Sequence, residues 1–124
     1  MSLEQSLARA KSMEASGEGS HHWWRQRISA LVLVPMTAWF LFSVVGRLDD
    51  THRAVLDWIA EPVTALCLVV YSIFMFYHAQ LGIQVVVEDY VHSRSARTAL
   101  MLLSKTTFLA CGALAVFSVL RIAL

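Results

Sequence analysis

Three long stretches of this sequence run almost without an acidic or basic side chain, and that feature limits what the chain can fold into. None lies between Ile28 and Gly46; between Pro62 and Val87 the sole one is His78, and between Thr98 and Leu120 the sole one is Lys105. A bilayer hydrocarbon core about 30 Å thick takes roughly 20 residues of helix at about 1.5 Å per residue. A lone segment in lipid must satisfy its backbone internally, so each run is expected to be a helix. Composition agrees, with 57% apolar and 15% charged residues in a chain of 124, outside the usual range of soluble domains. The fold class expected is all-α and integral to the membrane, with three transmembrane helices over about 28–46, 62–90 and 97–121. Pro35 removes one backbone hydrogen bond from the first and predicts a kink.

Arg9, Lys11, Arg25 and Arg27 precede the first helix, and Arg94 and Arg97 lie between the second and third. The connection between helices one and two sets Arg47 and Arg53 against Asp49, Asp50, Asp57 and Glu61, and Arg121 alone marks the far end of helix three. The positive-inside rule then places the N-terminus in the cytoplasm and the C-terminus outside. Residues 1–20 read as a cytoplasmic tail, amphipathic at first and then Gly/Ser-rich, ahead of an anchor domain over 21–124. That tail is too long for a signal-peptide n-region and is followed by no small-residue cleavage site, so the first helix is expected to stay. Glu4, Glu14 and Glu18 make it too acidic for a transit peptide. Cys67 and Cys111 fall inside apolar runs, where small polarizable side chains pack well, and their spacing matches no zinc or iron-sulfur pattern.

An imidazole is costly in a bilayer, so His78 is a functional candidate whose partner must be sought. Counting back from Val87 gives about 14 Å of helix and places it near mid-depth. Gly82 lies one turn on, on the same face, leaving a hollow where a flat ring can approach the backbone. Two readings fit: a haem-iron ligand, or a histidine hydrogen-bonded to a neighbouring helix. In the first case the second axial ligand comes from another subunit, because this chain has no other histidine within its apolar runs.

Asp89 and Tyr90 stand at the inner end of the second helix, about 18 Å along the axis from His78. A tyrosine at that level is an aromatic-belt anchor or, beside a carboxylate, a phenol able to donate to a carbonyl being reduced. Ahead of the first helix stand His21, His22, Trp23, Trp24, Arg25, Gln26 and Arg27. The tryptophans read as interface anchors, and Arg27 or His21 are placed to pair with acidic groups at the inner rim, with plain topogenic charge as the competing account. Lys105 can snorkel inward along its stem, and Glu88, His92, Arg94 and Arg97 form a solvated face or a docking rim.

Two stretches together resemble the succinate dehydrogenase hydrophobic membrane anchor family. One runs from Gly19 to Ala30, with Arg27 followed by Ser29 and Ala30; the other is His78-Ala79-Gln80-Leu81-Gly82 and then Glu88-Asp89-Tyr90-Val91. The resemblance implies that His78 is an axial ligand of haem b, the bound metal being its iron, and that Arg27 and His21 approach the haem propionates. His22 beside His21 leaves open which of the two faces the cofactor. It implies that Tyr90, supported by Asp89, hydrogen-bonds ubiquinone. The implied complex is succinate:ubiquinone oxidoreductase in a bacterial inner membrane, of the tricarboxylic acid cycle and respiratory electron transport. Its implied partners are a flavoprotein subunit, an iron-sulfur subunit and a second haem-binding anchor that completes the helix bundle, with membrane lipid around it and no nucleic acid. The chain is then a non-catalytic anchor. The rival readings are the anchor of a quinol:fumarate reductase and a small haem-free helical adaptor.

Overall fold

The computed structural model describes residues 2–124, with side chains throughout except at positions 13–16 and 18. It is all-helical over those residues, in the order α1 (Leu3–Ser16), α2 (Glu18–Val45), α3 (His52–Ala60), α4 (Pro62–Tyr90) and α5 (Arg94–Ala123). Three stretches are long and apolar enough to cross a membrane: Gly19–Val45, Pro62–Tyr90 and Arg94–Ala123. The chain is thus a multi-pass membrane protein.

The helices run further than the apolar runs do. α2 begins at Glu18 where hydropathy placed a start near 28, and α5 begins at Arg94 rather than 97. Hydropathy marks where lipid begins, whereas helix propagates cooperatively into polar sequence once nucleated. Residues 3–16, which lie within the expected tail, form a helix of their own. It is separated from α2 by Gly17, whose φ of 64° is a left-handed conformation that a side chain would strain.

α4 is the centre of the packing, with α2 against one side and α5 against another, and α3 touching both α4 and α5. The buried side chains follow that arrangement: Thr64, Ala65, Leu68, Leu81 and Val87 all belong to α4, and Ser29 to α2. α5 has no buried residue. In water such a surface would aggregate; in lipid it is the expected exterior.

The end where α2 stops and α4 starts is tied by α3, which the sequence reading treated only as a connection. Thr51 caps it, its Oγ1 accepting from the Ala54 N–H at 3.3 Å. Val55, Leu56, Trp58 and Ile59 turn inward at helical spacing while Arg53 and Asp57 pair at 3.4 Å on the exposed side. The Arg47 guanidinium lies 4.4 Å over the Trp58 ring, and Trp39 of α2 packs 6.4 Å from that ring. This cation–π contact holds the end of α2 against α3. α4 then starts on Pro62, where a missing N–H costs nothing.

Along the α2–α4 seam, Phe40 stacks on Tyr71 at 5.0 Å and the Thr37 hydroxyl donates to the Tyr71 oxygen at 3.4 Å. The α4–α5 seam closes where Gly112 meets Phe76, and a Cβ added at Gly112 would stand 3.5 Å from the Phe76 side chain. That is ordinary contact, so Gly112→Ala should be tolerated. Gly112→Leu should wedge the helices apart at a cost of about 1–3 kcal/mol. The expected readout is a lower thermal midpoint of the purified protein in detergent for the leucine variant only; equal midpoints for both variants would show the seam to be loose.

Candidate functional site

His78 sits on the face of α4 that meets α2, and its Nδ1 lies 2.8 Å from Ser29 Oγ. Ser29 is 1% exposed, the most enclosed side chain among the described residues. Its hydroxyl also donates to the Gln26 carbonyl at 2.9 Å, one turn back on α2. The other ring nitrogen of His78, Nε2, has no hydrogen-bond partner among the described residues. Sequence reading had offered iron ligation or a hydrogen bond to a neighbouring helix as alternatives. The geometry allows both at once, because Ser29 occupies Nδ1 and leaves Nε2 free.

Gly82 stands one turn further along α4, and a Cβ built there meets nothing within 4 Å. The chain thus leaves open space over the α4 backbone one turn from His78. An unengaged imidazole nitrogen next to a hollow over bare backbone fits a flat, metal-centred cofactor supplied with its remaining ligand from outside the chain.

Asp89 lies three turns beyond His78, about 16 Å along the axis and only about 20° around it, so the carboxylate and the imidazole share one face. Tyr90 follows, the last residue of α4. Both are exposed, and neither side chain makes a hydrogen bond among the described residues. The backbone beneath them is secured by Arg97, which donates from Nε and Nη2 to the Val91 carbonyl at 3.0 and 2.9 Å. This cation satisfies a carbonyl at the α4 terminus and opposes the negative end of the helix dipole. Arg97, expected to belong to a solvated or docking rim, is therefore also a structural clamp on the segment that carries Tyr90.

At the N-terminal end of α2 the structure separates the two adjacent histidines. His21 is exposed, its ring beside Gly17. His22 is half-buried with Nε2 enclosed and unpartnered among the described residues, and Gln26 Oε1 is likewise enclosed. Spacings of four and then three residues put His22, Gln26 and Ser29 in one stripe toward α4. Arg27 points away from that stripe, exposed, with its guanidinium 5.4 Å from the Trp23 ring centroid. Arg27 and His21 therefore face outward from this chain, His78 lies at a helix seam, and the chain does not bring the three together by itself.

Ser29 is the residue that sequence reading missed. It entered only as part of a matched stretch, although a hydroxyl at the edge of an apolar run is a known means of pairing polar groups between membrane helices. On the other side of α4, a groove of about 720 Å³ toward α5 is lined by Phe76, Tyr77, Gln80, Lys105 and Phe108 among others. It is largely apolar and separate from the imidazole. Both cysteines are free.

The sequence of residues 1–120 matches the family described as succinate dehydrogenase/fumarate reductase transmembrane subunit. The chain belongs to that family. A succinate dehydrogenase hydrophobic membrane anchor subunit of Rickettsia bellii is 32% identical over 80% of this chain and 79% of the relative. A succinate dehydrogenase membrane anchor subunit of Reclinomonas americana is 34% identical over 64% and 68%, and the hydrophobic membrane anchor subunit of Paracoccus denitrificans 25% identical over 74% and 71%. No solved structure matches this chain. The chain is a succinate dehydrogenase membrane anchor subunit, and as an anchor it works in a complex with catalytic subunits.

Proposed function

We propose that this anchor belongs to a succinate:ubiquinone oxidoreductase, where it binds one haem b through His78 and builds part of the ubiquinone reduction site with Tyr90 and Asp89. The observation that carries this reading is a lone intramembrane imidazole with Nε2 unengaged, on the same face of α4 as a carboxylate at the inner end. Among the described residues no three His, Cys, Asp or Glu side chains gather as a metal site. An iron held here by His78 would need any further protein ligand from another subunit, such as a second anchor. Arg27 and His21, both outward-facing near the N-terminal end of α2, are the proposed propionate partners; charge-assisted hydrogen bonds would suit such carboxylates, and Arg27 would need only to leave Trp23 to form them.

In this reading succinate is oxidised in a flavoprotein subunit, and electrons reach the membrane through an iron-sulfur subunit. The haem supplies a one-electron store beside that route. This chain never touches succinate. Ubiquinone needs two electrons and two protons, and charge develops on its carbonyl oxygens as they arrive. The Tyr90 phenol donates a hydrogen bond to one such oxygen, and the Asp89 carboxylate orients the phenol and returns its proton from water. Both groups are exposed on this chain in the last turn of α4, and the interfacial level proposed for them would give water access. The complex lies in a bacterial cytoplasmic membrane, with the first 20 residues on the cytoplasmic side and the C-terminus in the periplasm.

A tagged chain expressed with its neighbouring genes should purify together with a flavoprotein, an iron-sulfur protein, a second hydrophobic anchor and a b-type haem. A pure, stable preparation of this chain without flavin and without haem would refute the reading and favour a haem-free adaptor.

A further inference from the structure

Ser29 places one hydroxyl proton between two possible acceptors. Its Oγ lies 2.9 Å from the Gln26 carbonyl oxygen and 2.8 Å from His78 Nδ1. The carbonyl has no proton to give. If the hydroxyl proton went to Nδ1, two oxygens would face each other at 2.9 Å with nothing between them, inside a helix seam from which water is excluded. Both contacts are hydrogen bonds only when the hydroxyl donates to the carbonyl and Nδ1 donates to Oγ. A neutral imidazole has a single N–H, so Nε2 keeps its lone pair.

We infer that Ser29 is a positioning residue that holds His78 in the Nδ1–H tautomer and fixes the rotation of its ring, so that Nε2 is the atom presented to iron. This rests on the proposed ligation of haem by His78. The Gln26 carbonyl, part of the α2 backbone, anchors the relay, so α2 sets the ring plane of a ligand carried by α4. A metal-bound histidine is ordinarily oriented and made more basic by an acceptor at its other nitrogen. Here that acceptor is a side-chain oxygen across a helix seam, and a more basic ligand favours ferric over ferrous iron.

The test is made in the assembled complex, with haem content, haem midpoint potential and the low-temperature EPR of the ferric haem as readouts. Ser29→Ala should lower haem retention by about tenfold, raise the midpoint potential and shift the EPR g-values. Ser29→Thr, which keeps the hydroxyl, should restore all three. Succinate oxidation by a soluble artificial acceptor, measured on the complex captured through this chain, should be unchanged throughout, which reports that the catalytic subunits remain attached. If Ser29→Ala leaves potential and EPR unchanged while His78→Ala removes the haem spectrum, the positioning role is wrong and the ligation stands. A wild-type complex without haem removes both. Should Ser29→Ala fail to assemble, pulsed EPR of the wild-type haem decides: a remote imidazole nitrogen bearing an exchangeable proton is expected, and its absence overturns the inference.

Discussion

His78→Ala should abolish the b-type haem spectrum of the assembled complex while leaving the flavoprotein able to oxidise succinate with a soluble acceptor. Losing an outer-shell partner typically lowers metal-site affinity by about 10–100-fold, and losing the axial nitrogen itself should exceed that. Two effects coincide at this position: the ligand disappears, and Ser29 is left enclosed without its ring partner. The matched control is His52→Ala, an exposed histidine at the start of α3 that should leave the spectrum intact. Difference absorption spectra of the reduced and oxidised complexes make the comparison directly. A spectrum unchanged by His78→Ala would remove this residue from the site.

Tyr90→Phe should lower succinate:quinone reductase activity by about 100-fold or more, within the range by which a positioned proton donor accelerates a step. Removing the hydroxyl should cost little stability, because Tyr90 is 78% exposed and makes no side-chain hydrogen bond among the described residues. Succinate oxidation by an artificial soluble acceptor should therefore persist. Loss of both activities together would point instead to failed assembly and would withdraw the assigned role. Asp89→Asn keeps the size of the side chain but cannot take up the proton, and it should reproduce much of the defect.

The spans were legible because lipid imposes a strict rule. Only runs almost free of charge for some twenty residues can cross, and the stretches around Thr37, Val70 and Phe108 satisfy it, the last with Lys105 as its single charge. The extent of the helices was less legible. Helix α2 reaches back to Glu18 through residues whose polarity says where water is, not where the backbone ceases to be helical. Helix α3 did carry signs of its own, with Thr51 as a cap and Val55, Leu56, Trp58 and Ile59 on one face. Its nine residues are short enough that such a pattern is easily taken for a loop.

For the site, the single imidazole and the Asp-Tyr pair stood out chemically before any coordinates. What periodicity within one helix cannot reveal is how two helices are rotated against each other. The Ser29–His78 hydrogen bond joins positions 49 residues apart. It depends on the azimuths of α2 and α4 together, as does the inward turn of His22 beside an exposed His21.

Helix α4 runs from Pro62 to Tyr90 as one element with no proline after its first turn. On the proposed reading, the imidazole and the groups that serve the quinone are marks on a single stiff ruler. Their separation is written into the register of one segment and survives any rocking of neighbouring subunits, so that the gap an electron must cross is inherited from the gene before the complex is ever built.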